Sequence, residues 1–237
     1  MKKRIIVFAP HPDDEILGCG GTIAKRVKQG YEVIVCVATK SKDYKKRQKE
    51  EINSCKLLGV NKVVFLNLKD LYLDREKHEI ITKKILDVIK KYKPEEIYTP
   101  HIADLHTDHR ALTEAVMVAI RPKYEFTPKY AYTYETLSET GWNYLNPSNS
   151  FNPNVYENVE RTIDLKLEAL TEHKSQLYQY PSCRSLEAIE ALAIYRGTQA
   201  EMKYAEAFTL IRRYNKDEWE NIFRASTKLH AVYGIFL

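Results

Sequence analysis

Long apolar runs are missing from this sequence. No stretch approaches the roughly 18 residues that cross a bilayer, which argues against a helical membrane span. The N-terminus, MKKRIIVFAPHPDDE, starts with charge and then apolar residues, as a secretory leader does. Its apolar run is far too short and meets charge at Asp13. Cysteine is scarce: Cys19, Cys36, Cys55 and Cys183, with no C-x-x-C pair. The four are expected to be reduced and mostly buried, as suits a cytoplasmic protein. Also lacking is a G-x-G-x-x-G phosphate loop. GCGGT (18–22) is too short and too late, and is read as letting a helix pack closely. Basic residues interleaved with aromatics on one surface, which nucleic-acid binding would want, are not found either. The net charge of +5 is carried by lysine-rich stretches such as KSKDYKKRQKEE (40–51), and the 17 tyrosines are scattered. Repeats, low-complexity tracts and an obvious domain boundary are absent. A single domain over 1–237 is expected, with about 217–237 as a C-terminal helical extension.

What is present is an apolar fraction of 44% over 237 residues, enough for a substantial core. Ile5–Ala9, Tyr31–Thr39, Lys62–Leu68, Glu95–Pro100 and 129–135 read as strands, the first two as continuous apolar runs buried on both faces. Between them, Glu15–Gln29 (stopped by Gly30), Lys45–Leu58 (stopped by Gly59), Arg75–Tyr92 and Asp108–Ile120 read as helices. The alternation predicts an α/β fold with a mostly parallel sheet and helices on both faces. The working site is then expected beyond the carboxyl ends of the strands. Thr136–Asn158, with its Asn, Ser, Pro and aromatics, reads as an irregular functional loop. Helices over Arg161–His173 and Ser185–Lys203 and a late strand over Tyr204–Arg213 follow.

One short segment stands out. His11, Asp13, Asp14 and Glu15 fall within five residues where the first strand ends. Adjacent carboxylates repel and resist burial. Capping the next helix and complementing its dipole would account for one acid or two, but not for His11 or for Pro12 stiffening the turn. A divalent cation removes the conflict by binding one carboxylate and holding its neighbour ionised. A second cluster, HIADLHTDHR (101–110), follows the fourth strand, so four of the seven histidines lie in these two segments. Imidazole and carboxylate donors suit zinc best, three of them leaving an open position for a water whose pKa the metal lowers. Spacing leaves open which of His106 and His109 is a ligand.

APHPDDE followed by HTDH resembles the signature of the PIG-L/LmbE-like N-acetylglucosamine deacetylases. RQKEEINSCKLLGV (47–60), KLEALTEHKSQ (166–176) and RGTQAEMKYAEAFTLIR (196–212) are similar to further family elements, in order, over about residues 3 to 213. Thr107 departs from the pattern, where the family often has proline; the last 24 residues lie outside it. The resemblance implies a Rossmann-like fold and a Zn2+ cofactor. It implies that His11, Asp14 and His109 bind the metal, and that Asp13 is the general base. His106 would stabilise the oxyanion or act as acid, and Asp108 would tune the histidines beside it. The implied reaction removes acetyl from an N-acetylglucosamine-type sugar or conjugate, giving acetate and a free amine. The alternative is a metal-dependent amidohydrolase of the same fold acting on a non-sugar N-acyl small molecule. The implied partners are that small molecule and further copies of the chain, as a trimer or hexamer. Arg47, Trp142 and His173 are the candidate substrate-binding residues. Arg47 could equally support the motif loop, and Trp142, with Phe151 and Tyr156, could stack on a sugar or simply pack. His101 and Asp104 are expected to support the metal motif, and His78 and His230 to lie on the surface.

Overall fold

A computed structural model describes residues 2–124, 126–142 and 150–214. The expected C-terminal helix and His230 lie outside the described residues. Strand β1 (Arg4–Ala9) leads into α1 (Asp14–Lys28), β2 (Glu32–Lys40) into α2 (Tyr44–Leu57), and β3 (Lys62–Lys69), after a 3-10 turn, into α3 (His78–Tyr92). β4 (Glu96–Pro100), α4 (Thr107–Ala119) and β5 (Tyr130–Tyr134) complete the alternating part. β6 (Val155–Asn158), α5 (Ile163–Leu170), α6 (Leu186–Thr198) and β7 (Ala205–Arg213) follow. The seven strands form one sheet in the order β3-β2-β1-β4-β5-β7-β6. The first five are parallel, with Ile6 opposite Ile34 on one side and Ile97 on the other. β7 and β6 add an antiparallel edge.

The apolar run of β1 is buried on both faces because its side chains alternate between two cores. Ile6 and Phe8 join α3 and α4 through Ile81, Ile85, Leu112 and Val116. Ile5 and Val7 join α1, α5 and α6 through Ile16, Ile23, Leu170 and Ile189. Gly30 and Gly59 end α1 and α2 with φ of 85° and 77°, the left-handed region that glycine enters freely.

The glycines inside α1 serve close packing. A Cβ at Gly18 would collide with the Tyr134 ring, and one at Gly20 would lie 2.8 Å from Cγ of Lys166. A buried Lys166–Glu206 pair reaches the helix backbone there. Glu206 accepts the N–H groups of Gly21 and Thr22 at 2.9 and 2.7 Å, while Lys166 donates to the Leu17 carbonyl at 2.8 Å.

Two expectations need correction. The segment read as irregular contains β6, a four-residue strand that pairs, among the described residues, with β7 alone, far away in sequence. A strand that short carries no readable alternation. The last two helices are shorter than expected, ending at Leu170 and Thr198. All four cysteines are free, three of them buried.

Candidate metal centre and active site

β1 and β4 are neighbours, and the strand order runs outward from them in both directions, so the crevice beyond their carboxyl ends is the switch point of the sheet. His11 to Asp14 leave β1 into this crevice, and His101 to His109 leave β4 into it. The two clusters therefore meet. Nδ1 of His11 lies 3.1 Å and Nε2 of His109 3.2 Å from the same Asp14 oxygen, Oδ2. The ligand atoms of these three residues lie within 4.8 Å of one another. The other Asp14 oxygen, Oδ1, is buried and has no hydrogen-bond partner.

Each imidazole is oriented through its second nitrogen. Nδ1 of His109 lies 2.8 Å from Asp104, whose other oxygen accepts the Thr140 hydroxyl at 2.6 Å. Nε2 of His11 lies 3.2 Å from Asp108 and 3.3 Å from Asp70. Burial alone would lower both histidines. For His11 the hydrogen bonds to Asp108, Asp14 and Asp70 outweigh it and hold the ring well above its ordinary value. For His109 the charges and hydrogen bonds of Asp14 and Asp104 raise it to about 9. Burial would raise Asp14, but the two imidazoles pull it well below the carboxylate range. Asp14, Asp70, Asp104 and Asp108 thus surround the two rings with carboxylates that favour positive charge at this point. Two imidazoles and a carboxylate, with one buried oxygen unclaimed and a carboxylate behind each ring, fit a divalent metal.

Asp13 faces different partners. It precedes α1, yet its side chain makes no capping bond, so the two acids are not explained by helix capping. Its Oδ2 accepts from Nη1 of Arg184 at 2.6 Å and its Oδ1 from Nη2 of Arg47 at 3.4 Å. Its φ of 114° is rare for a residue with a Cβ, and such strain gathers at functional sites. The adjacent aspartates coexist because one turns to guanidiniums and the other to imidazoles.

His106 caps α4: its Nδ1 accepts the Asp108 N–H at 3.1 Å. In the neutral ring the proton therefore sits on Nε2. An imidazolium would set N–H against N–H. Burial, then the neighbouring His11 and His109, also lower its pKa. Its ring centre is 4.6 Å from that of His11 and 5.1 Å from that of His109. The Asp108 carboxylate, expected beside the site histidines, lies 3.2 Å from Nε2 of His11. It also accepts the N–H groups of Leu71 and Leu73 at 2.8 and 2.9 Å, tying the turn after β3 to the site.

An open cavity of about 140 Å³ lies over these groups, lined by His11, His106 and His109 together with Arg47, Asp70, Glu139, Gln176 and Arg184. Of the candidate substrate-binding residues, only Arg47 lines it, while also donating to the Pro12 carbonyl at 2.6 Å. Trp142 is half exposed, three residues beyond Glu139, and is not among the lining residues. His173 is 1% exposed and is not among the residues lining this cavity; with Asp13 it lines a second pocket that shares Gln176 and Arg184 with the first. His101 is buried and accepts the Ala103 N–H at 3.1 Å, and burial lowers it to about 4. It supports the loop, with Phe151 packed edge-on at 5.1 Å. Tyr156 lies in β6 and reaches Gln199, and His78 is exposed. Asp70, Glu139, Gln176 and Arg184 escaped the reading of the sequence. Asp70, at the carboxyl end of β3, could have been found by the strand-end rule. Arg184 sits in the link between α5 and α6, 171 positions from Asp13, with no local signal.

With this geometry in place, residues 6–120 match the family model described as "PIG-L: GlcNAc-PI de-N-acetylase". The chain is 34% identical over 184 residues to "Uncharacterized deacetylase YaiS" of Escherichia coli, covering 73% of this chain and 92% of that protein. The chain belongs to the PIG-L family. It is also similar to a "Probable N-acetyl-alpha-D-glucosaminyl L-malate deacetylase 2" of Bacillus cereus, at 27% identity over 89% of this chain and 94% of the other. Among solved structures, it shares its fold with the N,N'-diacetylchitobiose deacetylase of Pyrococcus horikoshii. The TM-score is 0.71 at 24% identity, covering 88% of this chain and 84% of that one. As a PIG-L protein it is a member of a deacetylase family with the α/β, Rossmann-like fold, and no helix among its described residues is long and apolar enough to cross a membrane.

Proposed function

We propose that this PIG-L protein is a metal-dependent hydrolase that removes acetyl from an N-acetylglucosamine-type amino sugar or its conjugate. The observation that carries the reading is the division of labour between the adjacent aspartates. Asp14 joins His11 and His109 in a three-donor set with an unclaimed buried oxygen, and Asp13 stands beside it outside that set. Zinc is the first candidate for the ion, on donor chemistry. When bound, the ion would polarise the acetamide carbonyl and make a water acidic enough to react near neutral pH.

The protein's own groups account for the rest. Asp13, with lone pairs left beside the two guanidinium contacts, accepts a proton from the attacking water. As the water oxygen bonds to the carbonyl carbon, the neutral His106 donates its Nε2–H to the developing oxyanion. The N-cap bond on Nδ1 favours this role over that of a general acid. The C–N bond then breaks, the proton held by Asp13 passes to the amine nitrogen, and acetate and amine leave. Arg47, Asp70, Glu139 and Gln176 offer donors and acceptors matched to a ring of hydroxyls. The names of the similar deacetylases support a sugar substrate, and the 140 Å³ cavity opens outward to leave room for an attached group.

A panel of N-acetylated sugars, their conjugates and simple N-acyl amides, scored by acetate release with zinc and with chelator, tests the reading. Activity confined to non-sugar amides would overturn the substrate assignment, and full activity under chelator would overturn the metal. A homotrimer or hexamer is part of the proposal, checked by light scattering of the purified chain.

A further inference from the structure

Beneath the motif loop lies a second group of buried donors. Glu15 on α1, Glu51 on α2 and His173 just after α5 are 0%, 0% and 1% exposed. Each brings a ligand atom within 4.8 Å of the others. The walls that carry them are pinned together. The Ser54 hydroxyl of α2 donates to the Ala169 carbonyl of α5 at 2.6 Å, and the Ser175 hydroxyl donates to Glu50 at 2.6 Å.

Several of their polar atoms meet no ordinary donor or acceptor. Neither oxygen of Glu15, nor Oε2 of Glu51, nor either ring nitrogen of His173 has a hydrogen-bond partner. Nε2 of His173 stands 3.8 Å from Oε2 of Glu51, and Glu51 is held by the Cys55 thiol at 3.2 Å, by the Asp13 backbone and by the Glu15 carboxyl beside it. Among the described residues no lysine or arginine pairs with Glu15 or Glu51, and the arginines of this region, Arg47 and Arg184, donate to Asp13. Burial holds Glu51 up to about 7 and His173 below the usual imidazole range. Two buried carboxyl groups without a counter-charge must be neutralised, by a proton or by a cation. A shared proton would serve the carboxyls but leave both nitrogens of a buried neutral imidazole idle. A cation uses all three groups, and an imidazole with a free nitrogen pair is in its ligating form.

We infer that Glu15, Glu51 and His173 form a second divalent-cation site, distinct from His11, Asp14 and His109, that takes a borderline transition-metal ion such as zinc. The inference rests on this donor set and does not depend on the deacetylase reading.

Zinc is the probe. In crystals of the wild-type chain soaked in zinc chloride, anomalous difference maps should show two peaks, one within bonding distance of Glu15, Glu51 and His173. After dialysis against zinc and desalting, the wild type should hold two zinc per chain, His109→Ala one, Glu51→Gln one and the double variant none. Glu51→Gln is nearly isosteric, and circular dichroism checks its fold; the crystal measurement needs no variant. A single peak at the histidine cluster, with no zinc left in His109→Ala, overturns the second site and leaves a shared proton or a water in its place. Zinc kept by His109→Ala but lost from Glu51→Gln, in a wild type holding only one, supports the second site and overturns the first.

Discussion

The histidine cluster at the mouth of the crevice and the carboxylate pair beneath it use the same residue types but are supported differently. In the upper cluster each metal-facing imidazole has an acid behind it: Asp104 behind His109, and Asp108 with Asp70 behind His11. In the lower cluster neither nitrogen of His173 is held, and both oxygens of Glu15 stand free. Hydrogen-bonded support of this kind fixes ring orientation and raises ligand basicity. It is built where distances must be kept for chemistry. The lower group is placed only by the docking of α1, α2 and the end of α5, so it should bind more weakly and tolerate change better.

The strongest way to break that comparison is through its upper half. Asp14→Ala removes the oxygen shared by His11 and His109. It should lose both bound metal and acetate release, measured by elemental analysis and a coupled acetate assay. Asp13→Asn should keep its metal and lose about 10² to 10⁴ in kcat, the usual size of a general-base contribution. Equal metal loss in both variants would erase the division between the two aspartates. His106→Ala should follow with a loss of about 10² to 10³ in kcat, as for a removed oxyanion donor, at unchanged metal content. Because the ring acts neutral, both limbs of the pH profile should survive; a vanished alkaline limb would restore the general-acid role. Asp104→Asn touches no ligand atom and should weaken metal binding by roughly 10- to 100-fold through the orientation of His109, read by competition with a chromophoric chelator.

These variants also separate what the sequence revealed from what it concealed. The five parallel strands and their helices were legible because each carries its own period or apolar run and its own stop, as at Gly30 and Gly59. That His11, Asp14 and the histidines after β4 would meet was legible because strand ends in this architecture converge; the choice of His109 over His106 came from the family resemblance and not from spacing. Arg184 was not, since its relation to Asp13 exists only after the link between α5 and α6 is folded across the site. The tie between Asp108 and the turn after β3 was hidden for a similar reason. It depends on the loop after β3, whose backbone N–H groups claim that carboxylate. β6 was hidden because an edge strand of four residues is defined by its partner. His173 was a candidate substrate contact in a helix-terminal motif, and its enclosure beside Glu51 of α2 carries no local sign.

The smallest effect probes the lower cluster through stability. Stripped of metal, folded Glu51 has a pKa of about 7 against an ordinary 4.5, because burial penalises its charge. Folding therefore takes up a proton between those values. The stability linked to Glu51 is fully present below about pH 4.5, declines as the pH rises through 7, and is lost above it. Glutamine carries no such dependence. In chelator, Glu51→Gln should match the wild type near pH 4.5 apart from a constant offset, and gain on it by about 1 to 2 kcal/mol by pH 8. The full shift, from 4.5 to about 7 at about 1.4 kcal/mol for each pH unit, sets a ceiling of about 3.5 kcal/mol, which falls because Glu15 can share the proton. Urea melts at the two pH values measure it, and a difference that does not change with pH would mean that Glu51 titrates as an exposed acid does. Adding zinc at pH 8 should reverse the order. Binding stabilises a folded protein in proportion to the logarithm of free ligand over its dissociation constant, and at this site only the wild type has the ligand set to collect that stabilisation. The upper site adds the same increment to both proteins, so it cancels. A reversal that survives in a His109→Ala background therefore belongs to Glu15, Glu51 and His173.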